Sequence, residues 1–311
     1  MGFSGHRPRK RFGQHWLVDP GVLEQIVAAA ELGPSDRVLE VGPGRGALTE
    51  RLLATPLAAL VAVELDRDLV GGLQQRFGAD PRFTLLEGDC LEVSLPPPAP
   101  DQVPKVVANI PYNITGPLLA RLLGRLDQPL DPPHQRLVLL VQREVGERIR
   151  ARPGSSAYSA LSVRLQLLAR CRLVCAVPPR CFSPPPKVDS EVILLDPLPP
   201  EQRLPSALAA AVERLLQRCF AARRKMLRNS LAGLLPPEQL QALALAAGIN
   251  LQQRPQELAP DRWLALAAQL LAQAGEEEPT ASAAGPGSAA VVPQPCGSAA
   301  APASAVVVPQ P

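Results

Sequence analysis

Residues 37–53 read RVLEVGPGRGALTERLL, and the fold follows from this one stretch. A short run of Val and Leu ends in Glu40-Val41, three glycines alternate through a turn, and ALTERLL resumes with apolar residues at helical spacing. Strand, glycine turn and helix in that order open a βαβ unit. Glycine lets a ligand approach the backbone closely, and the helix start offers unpaired N–H groups.

The same alternation recurs along the chain. LAALVAVELD (57–66), FTLLEGD (83–89), KVVANIP (105–111) and RLVLLVQ (136–142) are short apolar runs separated by helical patterns, and GVLEQIVAAAEL (21–32) precedes them. Continuous apolar runs of this length predict parallel strands buried on both faces. CRLVCAVP (171–178) and EVILLDP (191–197) lie closer together and are expected to be antiparallel edge strands. Residues 1–200 therefore read as a doubly wound α/β domain. Beyond Pro205 the pattern is helical throughout, so a small all-helical domain is expected over 201–275, with its boundary in DPLPPEQRLP (196–205).

The last segment, 276–311, has seven prolines, no aromatic and no charge after Glu278, and carries the near-repeat SAAVVPQP (288–295) and SAVVVPQP (304–311). Such a composition predicts a disordered tail. The 311-residue chain has a net charge of +3. Residues 1–275 hold all 32 basic residues but three fewer acids, which raises the body to +6. With 46% hydrophobic residues the chain can bury a core, which excludes wholesale disorder. No run approaches the roughly 18 apolar residues of a membrane span, and no apolar stretch follows the basic N-terminal residues as in a secretory signal. A cytoplasmic protein is expected. Six cysteines without a CxxC pair and three scattered histidines give no metal site, so free thiols are expected.

The candidate chemistry lies at the strand ends. A G-x-G-x-G turn (Gly42, Gly44, Gly46) serves NAD, S-adenosylmethionine or a tight bend equally well. Glu64 follows Gly44 by 20 residues at the end of the second run, where an acid meets ribose hydroxyls. Asp89 ends the third run, where a carboxylate can accept from an adenine amine. The fourth run ends in Asn109-Ile110-Pro111-Tyr112. An adenine N6 amine is a poor nucleophile because its lone pair is delocalised. The Asn109 side-chain oxygen and the Ile110 carbonyl could bind its two hydrogens and favour a pyramidal nitrogen. Pro111 stiffens the turn and Tyr112 offers a ring to stack on the base. Catalysis of this kind is positioning and hydrogen bonding.

With these residues in view the chain resembles the ribosomal RNA adenine dimethyltransferases, and within them the bacterial small-subunit enzymes. The ordered motifs are RKRFGQHWL (9–17), EVGPGRGALTE (40–50), VELDRDL (63–69), EGD (87–89), NIPYNITGPL (109–118), FSPPPKVDS (182–190) and RRKMLRNSL (223–231), and the resemblance covers residues 9–275. The resemblance implies a Rossmann-like methyltransferase sheet that takes S-adenosylmethionine as methyl donor. It implies methylation of N6 of two adjacent adenosines, twice each, in the 3′-terminal hairpin of 16S rRNA. Donor contacts carry over to His15, Leu17, Gly42, Glu64, Asp89 and Asn109, to which the glycine turn adds Gly44. The catalytic motif carries over to Asn109, Ile110, Pro111 and Tyr112, and a base-sandwiching aromatic to Phe182. Two positions depart from the family pattern: His15-Trp16 stand where Asn-Phe is usual, and Ile110 where Leu is usual.

Charge placement agrees with an RNA substrate. Arg214, Arg218, Arg223, Arg224, Lys225 and Arg228 occur with no acid between Arg214 and Arg228, and Arg7, Arg9, Lys10 and Arg11 precede any acid. Arginine suits bidentate phosphate contact and stacking. The target adenosines must leave their loop to reach Tyr112 and Phe182. A large-subunit rRNA adenine methyltransferase and a small-subunit assembly factor with weak activity are the competing readings. Nothing in the sequence demands more than a monomer.

Overall fold

The computed structural model describes residues 14–95 and 104–276. The N-terminal basic cluster at 7–11 and the expected tail beyond 276 lie outside the described residues. In chain order the elements are β1 (Trp16–Leu17), α1 (Pro20–Ala30), β2 (Arg37–Val41), α2 (Ala47–Leu53), β3 (Ala59–Glu64), α3 (Arg67–Phe77), β4 (Phe83–Glu87) and β5 (Lys105–Asn109). There follow α4 (Thr115–Leu123), β6 (Leu137–Gln142), α5 (Arg143–Arg150), α6 (Ala160–Leu168), β7 (Ala169–Val177), β8 (Phe182–Ser183) and β9 (Ser190–Pro197). The chain then forms only helices: α7 (Ser206–Phe220), α8 (Leu227–Ser230), α9 (Pro237–Ala246) and α10 (Pro260–Glu276).

Seven strands form one sheet in the order β4-β3-β2-β5-β6-β9-β7. The first five are parallel to their neighbours, and β9 runs antiparallel to both β6 and β7. Successive residues face opposite sides of a strand, and both sides are covered. Leu39, Leu137, Leu139, Ile193 and Leu195 enter one apolar cluster, while Val38, Val138, Leu140, Val192 and Leu194 enter the other. This accounts for the unbroken apolar runs in the sequence. Residues 191–197 correct one expectation: β9 is an interior strand, fully buried from Ser190 to Leu195, and only β7 forms that edge. Antiparallel pairing on both sides inserts it between its neighbours, an arrangement that proximity in sequence does not reveal.

The expected boundary at 196–205 separates sheet from helices in sequence, but the core is continuous across it. Val212, Leu216 and Trp263 share one buried cluster with Leu139 and Ile193. Arg164 on α6 grips Glu213 on α7 through hydrogen bonds of 2.6, 2.8 and 3.1 Å. The Tyr158 hydroxyl donates to the Leu258 carbonyl at 2.8 Å.

Two members of the basic run are structural. Arg218 donates to the Ser230 and Ala232 carbonyls, and Arg223 to those of Ser156 and Tyr158. Arg214, Arg224, Lys225 and Arg228 are exposed. Among the described residues no helix is long and apolar enough to cross a membrane. The described cysteines are free thiols, Cys181 and Cys219 buried and the other three half-buried.

Candidate active site

The chain winds outward from β2 through β3 to β4, then returns to place β5 on the other side of β2. The sheet's switch point thus lies between β2 and β5, and ligands of open α/β sheets bind outside the strand carboxyl ends at such a point. Gly42 and Asn109 meet there: a Cβ built on Gly42 would lie 3.6 Å from the Asn109 carbonyl oxygen. All the sequence-predicted site residues except Leu17 and Phe182 line a single cavity at this edge.

Its floor is the glycine turn. Gly44 has φ +60°, and a Cβ there would come 2.9 Å from the Trp16 ring, so the turn closes against its neighbour only because the side chain is missing. Glu64 holds this turn. Its carboxylate accepts from the Gly44 amide at 3.0 Å and from the Asp66 amide at 2.9 Å. Burial pushes the Glu64 pKa up, with the two amide bonds opposing the shift. Asp89 lies beyond β4. One of its oxygens accepts from the Leu91 amide at 2.8 Å, and Arg121 donates to the Leu91 and Val93 carbonyls and so fixes the turn that follows.

Asn109 ends β5, in register with Leu140 of β6. Its side-chain nitrogen donates to the His15 carbonyl at 3.2 Å, and an amide held by its nitrogen has its oxygen left to accept. Ile110 belongs to the buried apolar cluster and lines the cavity. Tyr112 starts a short 3-10 turn at the rim. Its hydroxyl is 2.6 Å from the Ser190 hydroxyl, and the His15 ring stacks on it at 5.8 Å between centroids.

The roof is an N-terminal strap. The two-residue β1 pairs with β8, Trp16 opposite Ser183 and Leu17 opposite Phe182. Gln14 donates to Asp66 at 2.8 Å, the Arg45 guanidinium lies 3.9 Å from the centre of the Trp16 ring, and His15 Nδ1 is 2.8 Å from the Pro184 carbonyl oxygen. A run of two residues is too short to register as a strand in the sequence, whereas the family pattern marks His15-Trp16-Leu17. Leu17 lines an adjacent hollow with Glu40, Gly44 and Asn109. Phe182 is only 4% exposed and packs in the apolar cluster with Leu17 and Leu23, away from the cavity wall.

Two further groups had given no sequence signal. Glu40 is 1% exposed. Thr49 donates to one of its oxygens at 2.8 Å, and the other has no hydrogen-bond partner among the described residues. Burial pushes its pKa up to about 8. Cys90 faces the cavity with its thiol pushed up to about 11, again by burial, so it is a neutral thiol and a weak nucleophile near neutrality.

The family profile for ribosomal RNA adenine dimethylase matches residues 5–271. The chain belongs to that family. It is an rRNA adenine dimethyltransferase, and its methyl donor is S-adenosylmethionine. The dimethylase is 66% identical over 267 residues to the ribosomal RNA small subunit methyltransferase A of Parasynechococcus marenigrum (strain WH8102), covering 86% of this chain and 88% of that one. It is 65% identical over 270 residues to the protein of that name in Synechococcus sp. (strain RCC307), with 87% and 98% covered. Among solved structures it is similar to a dimethyladenosine transferase from Plasmodium falciparum, with a TM-score of 0.69, 26% identity, and 84% and 98% of the two chains covered. It also resembles the 23S rRNA methyltransferase ErmE, with a TM-score of 0.65, 28% identity, and 82% and 99% covered. The dimethylase cavity suits the methyl donor: a side-chain-free turn at Gly44 and the carboxylates of Glu64 and Asp89 form a donor and acceptor set for a nucleoside.

Proposed function

We propose that the protein transfers methyl groups to N6 of two adjacent adenosines in the 3′-terminal hairpin of 16S rRNA, two to each, acting as a monomer in the cytoplasm during small-subunit biogenesis. The observation that carries this reading is the meeting of Asn109-Ile110-Pro111-Tyr112 with the glycine turn, Glu64 and Asp89 in one cavity at the switch point. S-Adenosylmethionine supplies an electrophilic methyl group on a sulfonium sulfur. Glu64 would accept from its ribose hydroxyls, Asp89 from its adenine amine, and Gly42, Gly44 and the strap from His15 to Leu17 would enclose its amino-acid end.

The target base enters beside Tyr112, which stacks on it, while Phe182 packs behind the strap with Leu17, outside the cavity lining. The Asn109 side-chain oxygen and the Ile110 carbonyl take the two N6 hydrogens. The nitrogen lone pair is thereby released from the ring and aimed at the methyl carbon. As the N–C bond forms, the C–S bond breaks and its electron pair stays on sulfur. The N6 proton then leaves to water, and the remaining N–H is available for a second transfer. Positioning and charge placement account for the acceleration. The helices of 201–275 serve as the RNA-holding unit, through Arg214, Arg224, Lys225 and Arg228.

The fold does not separate small- from large-subunit targets, since the 23S rRNA enzyme shares it. The 65–67% identity to relatives with small-subunit names supports the first. The test is to incubate the purified protein with labelled S-adenosylmethionine and either unmethylated small subunits or large-subunit RNA, then map the label. Label at two adjacent adenosines near the small-subunit 3′ end is expected. Label confined to large-subunit RNA overturns the proposal, and binding to small subunits without transfer favours the assembly-factor reading.

A further inference from the structure

A ring that serves as a platform for a base must keep its plane. Tyr112 has little to hold it from its own element, since it opens a three-residue 3-10 turn at the cavity rim and is only half-buried. Its fixed points come from elsewhere in the chain. The hydroxyl lies 2.6 Å from the Ser190 hydroxyl, across 78 residues of sequence. The ring face lies near parallel to the His15 imidazole, at 25° between planes, and that imidazole is itself tied to the Pro184 carbonyl.

Ser190 differs from the His15 anchor in rigidity. It is 1% exposed and opens β9, paired with Gln142 of β6 on one side and Val177 of β7 on the other. The next residue, Glu191, is clamped by Arg150 through bonds of 2.6 and 3.0 Å. A hydroxyl buried between three strands has a fixed position, whereas the strap is only two residues wide. We propose that Ser190 is a positioning residue for methyl transfer, whose hydroxyl pins the Tyr112 ring in the plane on which the target base stacks. The proposal rests on the reading of Tyr112 as the base platform. Burial raises the Tyr112 pKa, so the phenol stays neutral and the bond to Ser190 persists across the working pH range. Ser190 touches no reacting atom and acts only through Tyr112.

The chain has two tyrosines, Tyr112 and Tyr158, so 3-fluorotyrosine labelling of the full chain gives two fluorine reporters, and Tyr112→Phe assigns the one of interest. In Ser190→Ala the Tyr112 resonance is expected to move and narrow toward that of a free ring, with Tyr158 unchanged. An unmoved Tyr112 resonance overturns the proposal, with no substrate involved. In single-turnover methylation of small subunits, Ser190→Ala and Tyr112→Phe should each slow transfer about five- to tenfold, the scale of one lost neutral hydrogen bond. Dissociation constants for S-adenosylmethionine, read by equilibrium dialysis, should stay the same. The double variant should be no slower than the slower single one, because both remove the same bond; multiplicative losses overturn the proposal. Should Ser190→Ala fail to fold, Tyr112→Phe removes that bond from the half-exposed partner, and an unchanged transfer rate there is equally decisive. A wild-type protein that labels no small-subunit RNA defeats the proposed function, whereas the fluorine measurement still judges the tie itself.

Discussion

Asn109 donates from its side-chain nitrogen to the His15 carbonyl, which leaves its side-chain oxygen to accept. Asn109→Ala removes the acceptor and leaves the backbone register with Leu140 intact. Transfer is expected to fall at least about 100-fold, as for loss of a positioned group in the transition state, while S-adenosylmethionine still binds, more weakly. Single-turnover rates and equilibrium dialysis check the two halves separately. Glu40 gives a second prediction at this scale. Its pKa stands at about 8 when folded against an ordinary 4.5, so the folded protein binds this proton more tightly than the unfolded chain does. Stability from this group is therefore greatest below pH 4.5 and falls as pH rises toward 8, by up to about 1.4 kcal/mol per pH unit. Glu40→Gln keeps an acceptor for Thr49 and should flatten that part of the profile in urea unfolding of the ligand-free protein.

Among the elements, the strap and the glycine turn depend on each other. Trp16 packs so close to Gly44 that a methyl group there would lie 2.9 Å from its ring, and Gly44 adopts φ +60°. Gly44→Ala therefore meets two costs, a left-handed residue with a Cβ, worth about 1–2 kcal/mol, and displacement of β1 from its place opposite β8. The expected result is a stability loss of that order in urea unfolding and at least a tenfold weaker affinity for S-adenosylmethionine. Unchanged affinity would show that the strap does not close on the donor. Histidine at position 15 extends the same device, because its ring reaches both Pro184 and Tyr112. Its main-chain carbonyl contacts Asn109, so His15→Asn should preserve that hydrogen bond.

For the whole molecule, continuity of the core across 196–205 means that the helices and the sheet fold around shared residues. The basic run divides by its bonds: Arg218 and Arg223, though exposed, tie backbone together, while Arg214, Arg224, Lys225 and Arg228 are exposed and make no side-chain hydrogen bond among the described residues. Replacing those four by alanine should leave the unfolding midpoint unchanged within error. It should also weaken RNA binding across sequences and reduce the slope of log affinity against log salt by about 3, close to one unit per phosphate contact. Filter binding over a salt series measures this, and an unaltered slope assigns the RNA to another face.

The sequence by itself determined the parallel strands, the glycine turn and the acids at strand ends, because each is written in local periodicity or in a fixed spacing along one βαβ unit. It also marked Asn109-Ile110-Pro111-Tyr112, since one turn keeps those residues together in any fold. Three features depended on contacts between distant segments: the insertion of β9 between β6 and β7, the pairing of β1 with β8, and the reach of Ser190 to Tyr112. Such contacts come from the geometry of closure, in which a two-residue strand or one buried hydroxyl leaves no periodic trace. Hydrogen bonding likewise separated residues that composition groups together. Glu40 and Glu64 stand at successive strand ends, but only Glu64 is held by two backbone amides, whereas one Glu40 oxygen has no partner. The arginines of the 214–228 run look alike in sequence, and only packing against Ser156, Tyr158 and Ser230 decided which of them hold the protein together.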